Sequence, residues 1–397
     1  MYIQRTAEDT VNKFSKQFKV ILVTGARQVG KSTLLKHCDE YRNYVSLDDL
    51  TEREMAINEP KLFLENHKAP LIIDEIQYAP QLLSYIKLAV DKSDKKGQYW
   101  LTGSQQFHMM KNVSESLAGR VGIVDLMGLS LAEISGNKNS VPFDTETKTN
   151  ANRKHYTTEE IFKIIYNGSY PALNNNEDID RNSFYNSYLR TYIERDIRAL
   201  TTVSDEMKFL TFIRVVAART GQFLKYSEIA KEVDISEPTA KSWLSILVSS
   251  NLVYLLQPYY KNLNKRMTKM PKIYFLDTGL CSYLTGWSSP EVIQKGAMNG
   301  AFFETFVVSE ILRSYLHNGQ TPLMYVYRDT VQKEIDIIIE KNGKLYPVEI
   351  KLTANPNKSM VKNFNVLDNA GMGAIICMKD KEMLLTDDVK VIPVSDI

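Results

Sequence analysis

Cysteine and histidine are scarce in this sequence, and neither is spaced as a set of ligands. The 397 residues include only three cysteines and five histidines. No Cys-x-x-Cys pair occurs, which argues against a disulfide scaffold and a structural zinc site and fits a reducing compartment. The histidines are isolated, so no Ser/His/Asp or Cys/His nucleophile set emerges, and we expect them on the surface or in packing. The residues concerned are Cys38, Cys281, Cys377, His37, His67, His108, His155 and His317.

Long apolar runs and a strong net charge are also missing. No stretch approaches the roughly 18 apolar residues that a membrane-spanning helix needs, and the first ten residues, MYIQRTAEDT, contain no apolar run that would suggest a signal peptide. We therefore expect a cytoplasmic protein without a membrane partner. The formal net charge is +2, so any binding to nucleic acid has to come from local basic patches.

The order of the patterns along the chain predicts an α/β protein with several units. Apolar, strand-like runs at 19–25, 69–76, 97–104 and 119–130 alternate with helical patterns, which predicts βαβ units and a parallel sheet covered on both faces. A polar stretch at 135–154 follows and is typical of a loop or linker. The predicted units are an α/β core at 1–136, a linker with a helical, lid-like segment at 137–205, a mainly helical middle at 206–288, and a smaller α/β unit at 289–397.

The strongest motif is a phosphate-binding loop between a strand and a helix. The segment KVILVTGARQVGKSTLLKH (19–37) contains G-x-x-x-x-G-K-[ST] in the context that this motif requires. Its glycines let backbone N–H groups surround phosphate oxygens. Lys31 is expected to reach the β- and γ-phosphates of ATP, and the Ser32 hydroxyl to bind Mg²⁺. The predicted nucleotide-binding residues are Gly25, Ala26, Arg27, Gln28, Val29, Gly30, Lys31, Ser32 and Thr33.

Polar residues at later strand ends complete the predicted ATPase site. The run LIIDE places Asp74 at the end of an apolar strand, where it could hold Mg²⁺ through water, and Glu75 next to it as a general base. After the following strand, Thr102 or Ser104 could contact the γ-phosphate or the attacking water. Arg120 could reach the γ-phosphate of a neighbouring subunit. The alternatives are that Asp74 and Glu75 are two solvated acids, that Thr102 and Ser104 lie in a strand exit that contains glycine, and that Arg120 forms a surface ion pair.

Together these segments resemble a known superfamily. GARQVGKST, LIIDEIQYAP, YWLTGSQQF and SLAGRV resemble an AAA+ ATPase, and GSYPAL (168–173) and YLRTYIERDIRAL (188–200) resemble a prokaryotic family that joins this core to a further C-terminal region. The resemblance covers nearly the whole chain. It implies ATP binding, a winged-helix segment and a nuclease-like C-terminal fold. Arg190, Arg195 and Arg198 are the candidates for the sensor-2 arginine of such an ATPase.

The middle of the chain contains a helix-turn-helix pattern followed by a basic segment. Residues 225–260 predict a helix, a short turn, a second helix at 237–248 and a strand. The next strand begins near residue 272, and the basic run between the two could contact phosphates while tyrosines stack on bases. The second helix carries only Lys241 as a basic residue, so a solvated loop or a protein-docking surface is the alternative. The residues that could contact nucleic acid are Tyr259, Tyr260, Lys261, Lys265, Arg266, Lys269 and Lys272.

A set of acidic residues and a lysine stands out in the C-terminal unit. Glu349 and Lys351 lie two apart in a predicted strand and therefore share a face. Asp336 lies on the preceding strand and Glu304 on a helix. This set resembles the PD-(D/E)xK nuclease superfamily, which implies Glu304, Asp336 and Glu349 as ligands of Mg²⁺ or Mn²⁺ and Lys351 as the residue that orients the attacking water. Ile335 stands where the motif has proline, and an inactive fold or a solvated strand face is the alternative.

Two functions follow from these patterns. The first is a Mg²⁺-ATP-driven motor or switch that acts on DNA or RNA, forms a homo-oligomer and carries a nuclease-like effector. The second is a regulator without enzymatic function, in which the binding of ATP or ADP controls assembly and the C-terminal half serves as a docking module.

Overall fold

A parallel sheet of five strands forms the N-terminal unit. The computed structural model describes residues 2–103, 113, 116–147, 153–176, 178–192, 206–260 and 270–397. The strands lie in the order β2-β3-β4-β1-β5, and helices cover the sheet. The strands are β1 (Val20–Thr24), β2 (Asn43–Ser46), β3 (Leu71–Asp74), β4 (Tyr99–Gly103) and β5 (Val121–Asp125), and the helices are α1 (Ala7–Gln17), α2 (Lys31–Cys38), α3 (Leu50–Asn58), α4 (Pro60–Asn66), α5 (Leu82–Asp91) and α6 (Leu131–Ile134).

This unit confirms the predicted α/β class. All five residues of β1 are buried, as expected for a central strand of a parallel sheet. The strand β2 was missed by sequence reasoning because it lies at the edge of the sheet, and two of its four residues are exposed. It therefore lacks the continuous apolar run of the central strands.

The polar stretch after the sheet is held against the rest of the protein. Within 135–147 and 153–157 the structure has no strand and no helix, which agrees with a loop. Phe143 is buried, and its backbone N–H donates a hydrogen bond of 3.0 Å to Ser314 Oγ. Asn139 Nδ2 donates to the carbonyl oxygen of Ile397 at 3.3 Å. This segment therefore contacts the C-terminal unit at several points.

The middle of the chain combines helices with three antiparallel strands. Its second predicted helix begins after Ser236, whose side chain accepts a hydrogen bond from the backbone N–H of Thr239. Trp243 on that helix packs edge-on against Phe209 and Phe212. The helices are α7 (Thr158–Asn167), α8 (Pro171–Asn175), α9 (Arg181–Tyr192), α10 (Glu206–Ala217), α11 (Tyr226–Val233), α12 (Glu237–Ser249), α13 (Thr278–Leu284) and α14 (Pro290–Lys295), and the strands are β6 (Gln222–Phe223), β7 (Val253–Pro258) and β8 (Lys272–Phe275).

The C-terminal unit is a mixed sheet with one long helix against it. The helix is α15 (Asn299–Leu316), and the strands are β9 (Met324–Arg328), β10 (Glu334–Lys341), β11 (Lys344–Lys351), β12 (Gly373–Cys377), β13 (Met383–Thr386) and β14 (Val389–Pro393). These strands continue the sheet of the middle segment in the order β13-β14-β12-β11-β10-β9-β7-β8-β6. The junction is a short parallel pairing in which Gln257 lies opposite Tyr325.

None of the helices in the described ranges is long and apolar enough to cross a membrane.

Candidate functional site

The loop after β1 has the backbone geometry of a phosphate-binding loop. Gly25 has φ +146°, and a Cβ at this position would lie 2.0 Å from the carbonyl oxygen of Leu126. Any side chain here would therefore displace the backbone that follows β5. Gly30 has φ +92° and precedes the first residue of α2. Both glycines of the motif occupy conformations that other residues rarely adopt.

Lys31 is the first residue of α2, and its side chain turns back into the loop. Its ammonium group donates hydrogen bonds to the carbonyl oxygens of Ala26 at 2.8 Å and Gly25 at 3.1 Å. Lys31 is buried. The lysine is thus directed at the hollow formed by the loop, and the N–H groups at the start of α2 face the same region.

Asp74 lies at the carboxyl end of β3 and collects hydroxyl groups from three elements. Ser32 Oγ donates to Asp74 Oδ1 at 2.6 Å, and Tyr44 Oη donates to Oδ2 at 2.9 Å. The hydroxyl of Thr102, on β4, also donates to Oδ1. The structure therefore brings Ser32 and Asp74 together, which is the pair that the sequence predicts for Mg²⁺.

Glu75 follows Asp74 in an unusual backbone conformation. Its φ of +57° and ψ of +46° lie in the left-handed region, which is uncommon for glutamate. Its backbone N–H donates to Thr102 Oγ1 at 3.1 Å, and its carboxylate accepts a hydrogen bond from the Gln77 side chain. Thr102 is fully buried and contacts both acids, so it helps to position them. The other residue of that prediction, Ser104, lies outside the described residues.

Whereas the loop follows the carboxyl end of β1, Arg120 lies at the amino end of the strands. Its carbonyl oxygen accepts from the backbone N–H of Val20, the first residue of β1, whereas Lys31 follows the other end of that strand. A strand of five residues spans about 16 Å, so Arg120 is remote from the nucleotide site of its own chain. Its guanidinium pairs with Asp91 at 2.6 Å. The predicted alternative, a surface ion pair, is thus present in this structure.

The remaining residues of the motif line the loop. Val29 and Ala26 are buried, Arg27 is half-buried, and Gln28 and Thr33 are exposed. The site fits ATP and Mg²⁺, because a lysine and backbone N–H groups converge where phosphates would lie, and a hydroxyl and a carboxylate stand beside them. Such oxygen donors are those that Mg²⁺ prefers.

The family comparison agrees with this geometry. Residues 17–135 match the family model described as "AAA domain". Over these residues the N-terminal unit is similar to AAA-type P-loop domains, and we call it the AAA-type domain below. Residues 158–291 match "Domain of unknown function (DUF8612)", and residues 299–397 match "Domain of unknown function (DUF4143)".

Similar proteins occur among curated sequences and solved structures. "Uncharacterized protein Rv2008c" of Mycobacterium tuberculosis and "Uncharacterized protein Mb2031c" of Mycobacterium bovis are each 26% identical over 396 residues, 99% of this chain and 84% of theirs. "The walker-type atpase paby2304 of pyrococcus abyssi" covers 71% of this chain and 96% of its own, with 16% identity and a TM-score of 0.45. AMPPCP-bound DnaA from Aquifex aeolicus covers 61% and 85%, with 12% identity and a TM-score of 0.30.

Sequence reasoning missed Arg5, which lies beneath the phosphate-binding loop of the AAA-type domain. Its guanidinium donates to the carbonyl oxygens of Val29 at 2.9 Å and Met127 at 2.8 Å. Arg5 also pairs with Glu133 at 3.1 Å. Arginine in a short N-terminal segment matches no motif, so no local pattern could have identified it.

Glu133, the partner of Arg5, also contacts a residue of the C-terminal unit. His317, just after α15, lies 3.3 Å from Glu133, and its Nε2 accepts from the backbone N–H of Met127 at 3.1 Å. Burial acts to raise the pKa of Glu133, but Arg5 and His317 outweigh it and hold this pKa well below the usual range. Burial lowers the pKa of His317. The AAA-type domain is thus joined to α15 by a buried charged network.

The segment GSYPAL lies against the phosphate-binding loop. The Cγ atom of Pro171 lies 3.9 Å from where a Cβ of Gly30 would be. Asp277 anchors this segment, because one of its oxygens accepts from the backbone N–H and the hydroxyl of Ser169, both at 2.7 Å. Of the arginines suggested for sensor 2, Arg190 is exposed on α9, and Arg195 and Arg198 lie outside the described residues.

The predicted C-terminal residues come together on one face of the second sheet. Lys351 Nζ lies 2.6 Å from Glu349 Oε1 and 3.6 Å from Asp336 Oδ2. The backbone N–H of Ile350 donates to Asp336 Oδ2 at 2.9 Å. These side chains meet because Asp336 and Glu349 adjoin the paired residues Ile337 and Val348 on antiparallel strands. Glu304 approaches from α15.

A second lysine, which sequence reasoning assigned to the basic run, enters this group. Lys272 Nζ lies 2.7 Å from Glu304 Oε1, 2.8 Å from Glu334 Oε1 and 3.9 Å from Asp336 Oδ1. The Tyr274 hydroxyl donates to Glu304 at 2.6 Å. Two strands separate β8 from β10 in the sheet, so a flat sheet would hold them about 14 Å apart. The contact therefore requires the sheet to curl. We call Glu304, Glu334, Asp336, Glu349, Lys272 and Lys351 the carboxylate cluster.

Burial dominates the electrostatics of this cluster. Burial raises the pKa of Glu349 to about 8, with Asp336 acting in the same direction and Lys351 against it. Burial and Asp336 likewise raise the pKa of Glu304. For Lys272, burial acts to lower the pKa, but Glu304, Asp336 and Glu334 outweigh it and raise it. The lysines are therefore charged, whereas Glu349 and Glu304 bind a proton more readily than ordinary glutamates do.

The cluster does not fit a divalent metal ion in this arrangement. Within the part of the chain that the structure describes, no group of three or more His, Cys, Asp or Glu side chains is placed to hold a metal. In the carboxylate cluster, lysine ammonium groups already contact Glu304, Asp336 and Glu349. The predicted residues are close together, but their oxygens point at internal cations.

The predicted nucleic-acid contacts can be placed only in part. Lys261, Lys265, Arg266 and Lys269 lie outside the described residues. Tyr259 and Tyr260 line a cleft of about 550 Å³ together with Tyr327 and Arg328. Of the basic run, Lys272 is described, and it faces the carboxylate cluster instead of an open surface.

Proposed function

We propose that this protein is a Mg²⁺-dependent ATPase that acts as a switch or motor on nucleic acid and carries a nuclease-like C-terminal unit. The observation that carries the ATPase part is the hydrogen bond between Ser32 and Asp74 beside a phosphate-binding loop that holds Lys31. Bound Mg²⁺ would draw charge from the phosphates. Ser32 and Asp74 would hold it, Lys31 would bind phosphate oxygens, and Glu75 would take the proton of the attacking water.

Arg120 supports the proposal of a homo-oligomer. Since it lies at the end of the strands away from its own phosphate-binding loop, any contact with a nucleotide would have to be made in another subunit. Arg120 is half-buried and paired with Asp91 near the surface, and because such ion pairs contribute little to stability, Arg120 can exchange Asp91 for another partner.

The middle segment supports the nucleic-acid part of the proposal. The element order α10, β6, α11, α12, β7 and β8 and the strand order β7-β8-β6 support the interpretation of this segment as a winged helix. Lys241 is the single cation on the exposed face of α12, so we propose contacts to phosphates and stacked bases instead of base-specific reading.

The second function, a nucleotide-controlled docking protein, is favoured by one observation. Lys272 pairs with Glu304 and Glu334. These charged groups of the C-terminal unit therefore have internal partners, as charged groups in a structural core do. This function needs ATP binding but no cleavage of nucleic acid.

Turnover with and without nucleic acid tests the proposal. We would measure ATP hydrolysis by the full chain alone and with single-stranded DNA, double-stranded DNA or RNA, with Lys31→Ala as the background control. Stimulation of at least about tenfold, lost in the control, supports the switch or motor. Hydrolysis that none of the three stimulates contradicts action on nucleic acid, and ATP binding without hydrolysis above the Lys31→Ala background supports the docking protein.

A further inference from the structure

Lys272 reaches the carboxylate cluster from β8, a strand outside the C-terminal unit. It is only 4% exposed, which is rare for lysine unless it is paired. Its ammonium contacts oxygens from two elements, since Glu304 lies on α15 and Glu334 on β10. A cation that is buried among carboxylates from separate elements occupies the position that a metal ion takes in acidic protein sites.

The surroundings hold this ammonium in place. Pairing of β8 with both β7 and β6 fixes the backbone of Lys272. Tyr274, two residues further along β8, is fully buried and donates to the same glutamate oxygen that Lys272 contacts. The carboxylates are thus oriented around the lysine and are not a loose acidic patch.

We propose that Lys272 is a built-in cation whose ammonium group takes the place of a divalent metal ion in the carboxylate cluster. As long as β8 holds Lys272 in this position, the cluster of the C-terminal unit cannot bind a metal ion. The inference rests on the proposed nuclease-like character of this unit and states how its site is controlled. Removing the ammonium converts the cluster into a site for one divalent cation.

Charge balance supports this proposal. The cluster has four carboxyl groups and two lysines, and Arg328 Nε lies 3.9 Å from Glu334 Oε2 at its edge. Loss of Lys272 leaves Lys351 and Arg328 to balance the four carboxyl groups, and Lys272 is the cation in contact with Glu304. Buried carboxylates without a partner are costly. They then either take up protons or bind a cation from solution, and Mg²⁺ and Mn²⁺ favour such oxygen donors.

The test measures Mn²⁺ binding to full-length variants by calorimetry and by the shift in melting temperature. All proteins carry Asp74→Asn, so that the nucleotide site contributes little. With Lys272 present, we expect no binding and no shift. Lys272→Met should bind one Mn²⁺ and melt several degrees higher in its presence, and adding Asp336→Asn should abolish both effects. Lys390→Met is the matched control, because Lys390 also pairs with a glutamate, Glu382 at 3.3 Å, but lies outside the cluster.

The proposal would be overturned if a protein that retains Lys272 bound Mn²⁺ and lost this binding on Asp336→Asn. It would also be overturned if a folded Lys272→Met protein bound no Mn²⁺. If Lys272→Met does not fold, the double variant Lys272→Met with Glu334→Gln, which carries one negative charge less, is tested in the same way. Cleavage of labelled DNA and RNA is then measured separately. Mn²⁺ binding without cleavage supports the built-in cation and contradicts the proposed nuclease-like activity.

Discussion

The Ser32 hydroxyl donates a hydrogen bond of 2.6 Å to Asp74 Oδ1, which joins the residue after the phosphate-binding loop to the carboxyl end of β3. Ser32 lies on α2, and Asp74 is also held by Tyr44 at 2.9 Å. The two oxygens are therefore fixed before any ligand binds. A site arranged in this way loses little freedom on binding Mg²⁺, which favours tight binding.

Glu75→Gln should leave ATP binding intact and lower turnover by about 100- to 10,000-fold, the usual contribution of a general base. The amide has the same size but cannot take a proton. Single-turnover hydrolysis and an ATP titration measure the two properties. Glu65→Gln, which changes an exposed acid paired with Lys61, is the control. Turnover of Glu75→Gln at the wild-type rate would leave Glu75 without a catalytic role.

Much of the AAA-type domain could be predicted from its sequence, because its signals are local. A buried central strand is a continuous apolar run, and a phosphate-binding loop needs glycine at fixed positions, as Gly25 and Gly30 show. Asp74 and Glu75 follow from the rule that polar residues at strand ends form sites. The general role of this unit was therefore visible before its geometry.

Arg5→Met should weaken ATP binding through the shape of the phosphate-binding loop, because Arg5 holds the Val29 carbonyl at 2.9 Å. We expect a loss of about tenfold together with a lower melting temperature, since a hydrogen bond to a charged group contributes about 1.5–3 kcal/mol. Calorimetry measures the affinity.

Arg153→Met is the matched control for Arg5→Met. Arg153 donates to the carbonyl oxygen of Ile397 at 2.6 Å and to Asn139 at 2.8 Å, and neither partner belongs to the phosphate-binding loop. It should lower the melting temperature but leave ATP affinity unchanged. Equal loss of affinity in both variants would mean that Arg5 acts only through general stability.

Arg120→Ala should reduce hydrolysis by about 1,000-fold or more in an assembled protein, as expected for an arginine that stabilises transition-state charge in trans. ATP binding should stay within about twofold, because Arg120 is remote from the site of its own chain. Turnover measured across a range of protein concentrations separates the assembled and monomeric states. Normal turnover of the variant at every concentration would show that the Asp91 pair is its whole role.

The pH dependence of stability should reveal Glu349. Burial and Asp336 raise the pKa of Glu349 to about 8, so the folded state favours the protonated form. Its contribution to stability is complete below its unfolded pKa of about 4.3 and is lost as the pH rises through about 8. Between about pH 5 and pH 8 the free energy of unfolding should therefore fall more steeply for the wild type than for Glu349→Gln. Parallel curves from urea unfolding would contradict this assignment.

The parts that could not be predicted depend on contacts between distant segments. Lys272 belongs by sequence to a basic run, yet the curl of the sheet brings it against Glu304 and Glu334. Arg5 and His317, which are more than 300 residues apart in the sequence, both contact Glu133. Such pairs leave no periodic or local pattern, because each side chain looks like an ordinary surface residue in its own segment.

The most direct measurement is an ATP titration by calorimetry of the full-length wild type and Lys31→Ala in the presence of Mg²⁺. Lys31 donates to the loop carbonyls of Gly25 and Ala26, and its ammonium has no apolar packing role to lose. We expect the wild type to bind ATP and the variant to remain folded and bind about 10- to 100-fold more weakly or not at all. A folded Lys31→Ala protein with undiminished affinity, or a wild type that binds no ATP, would contradict the assignment of this loop as the nucleotide site.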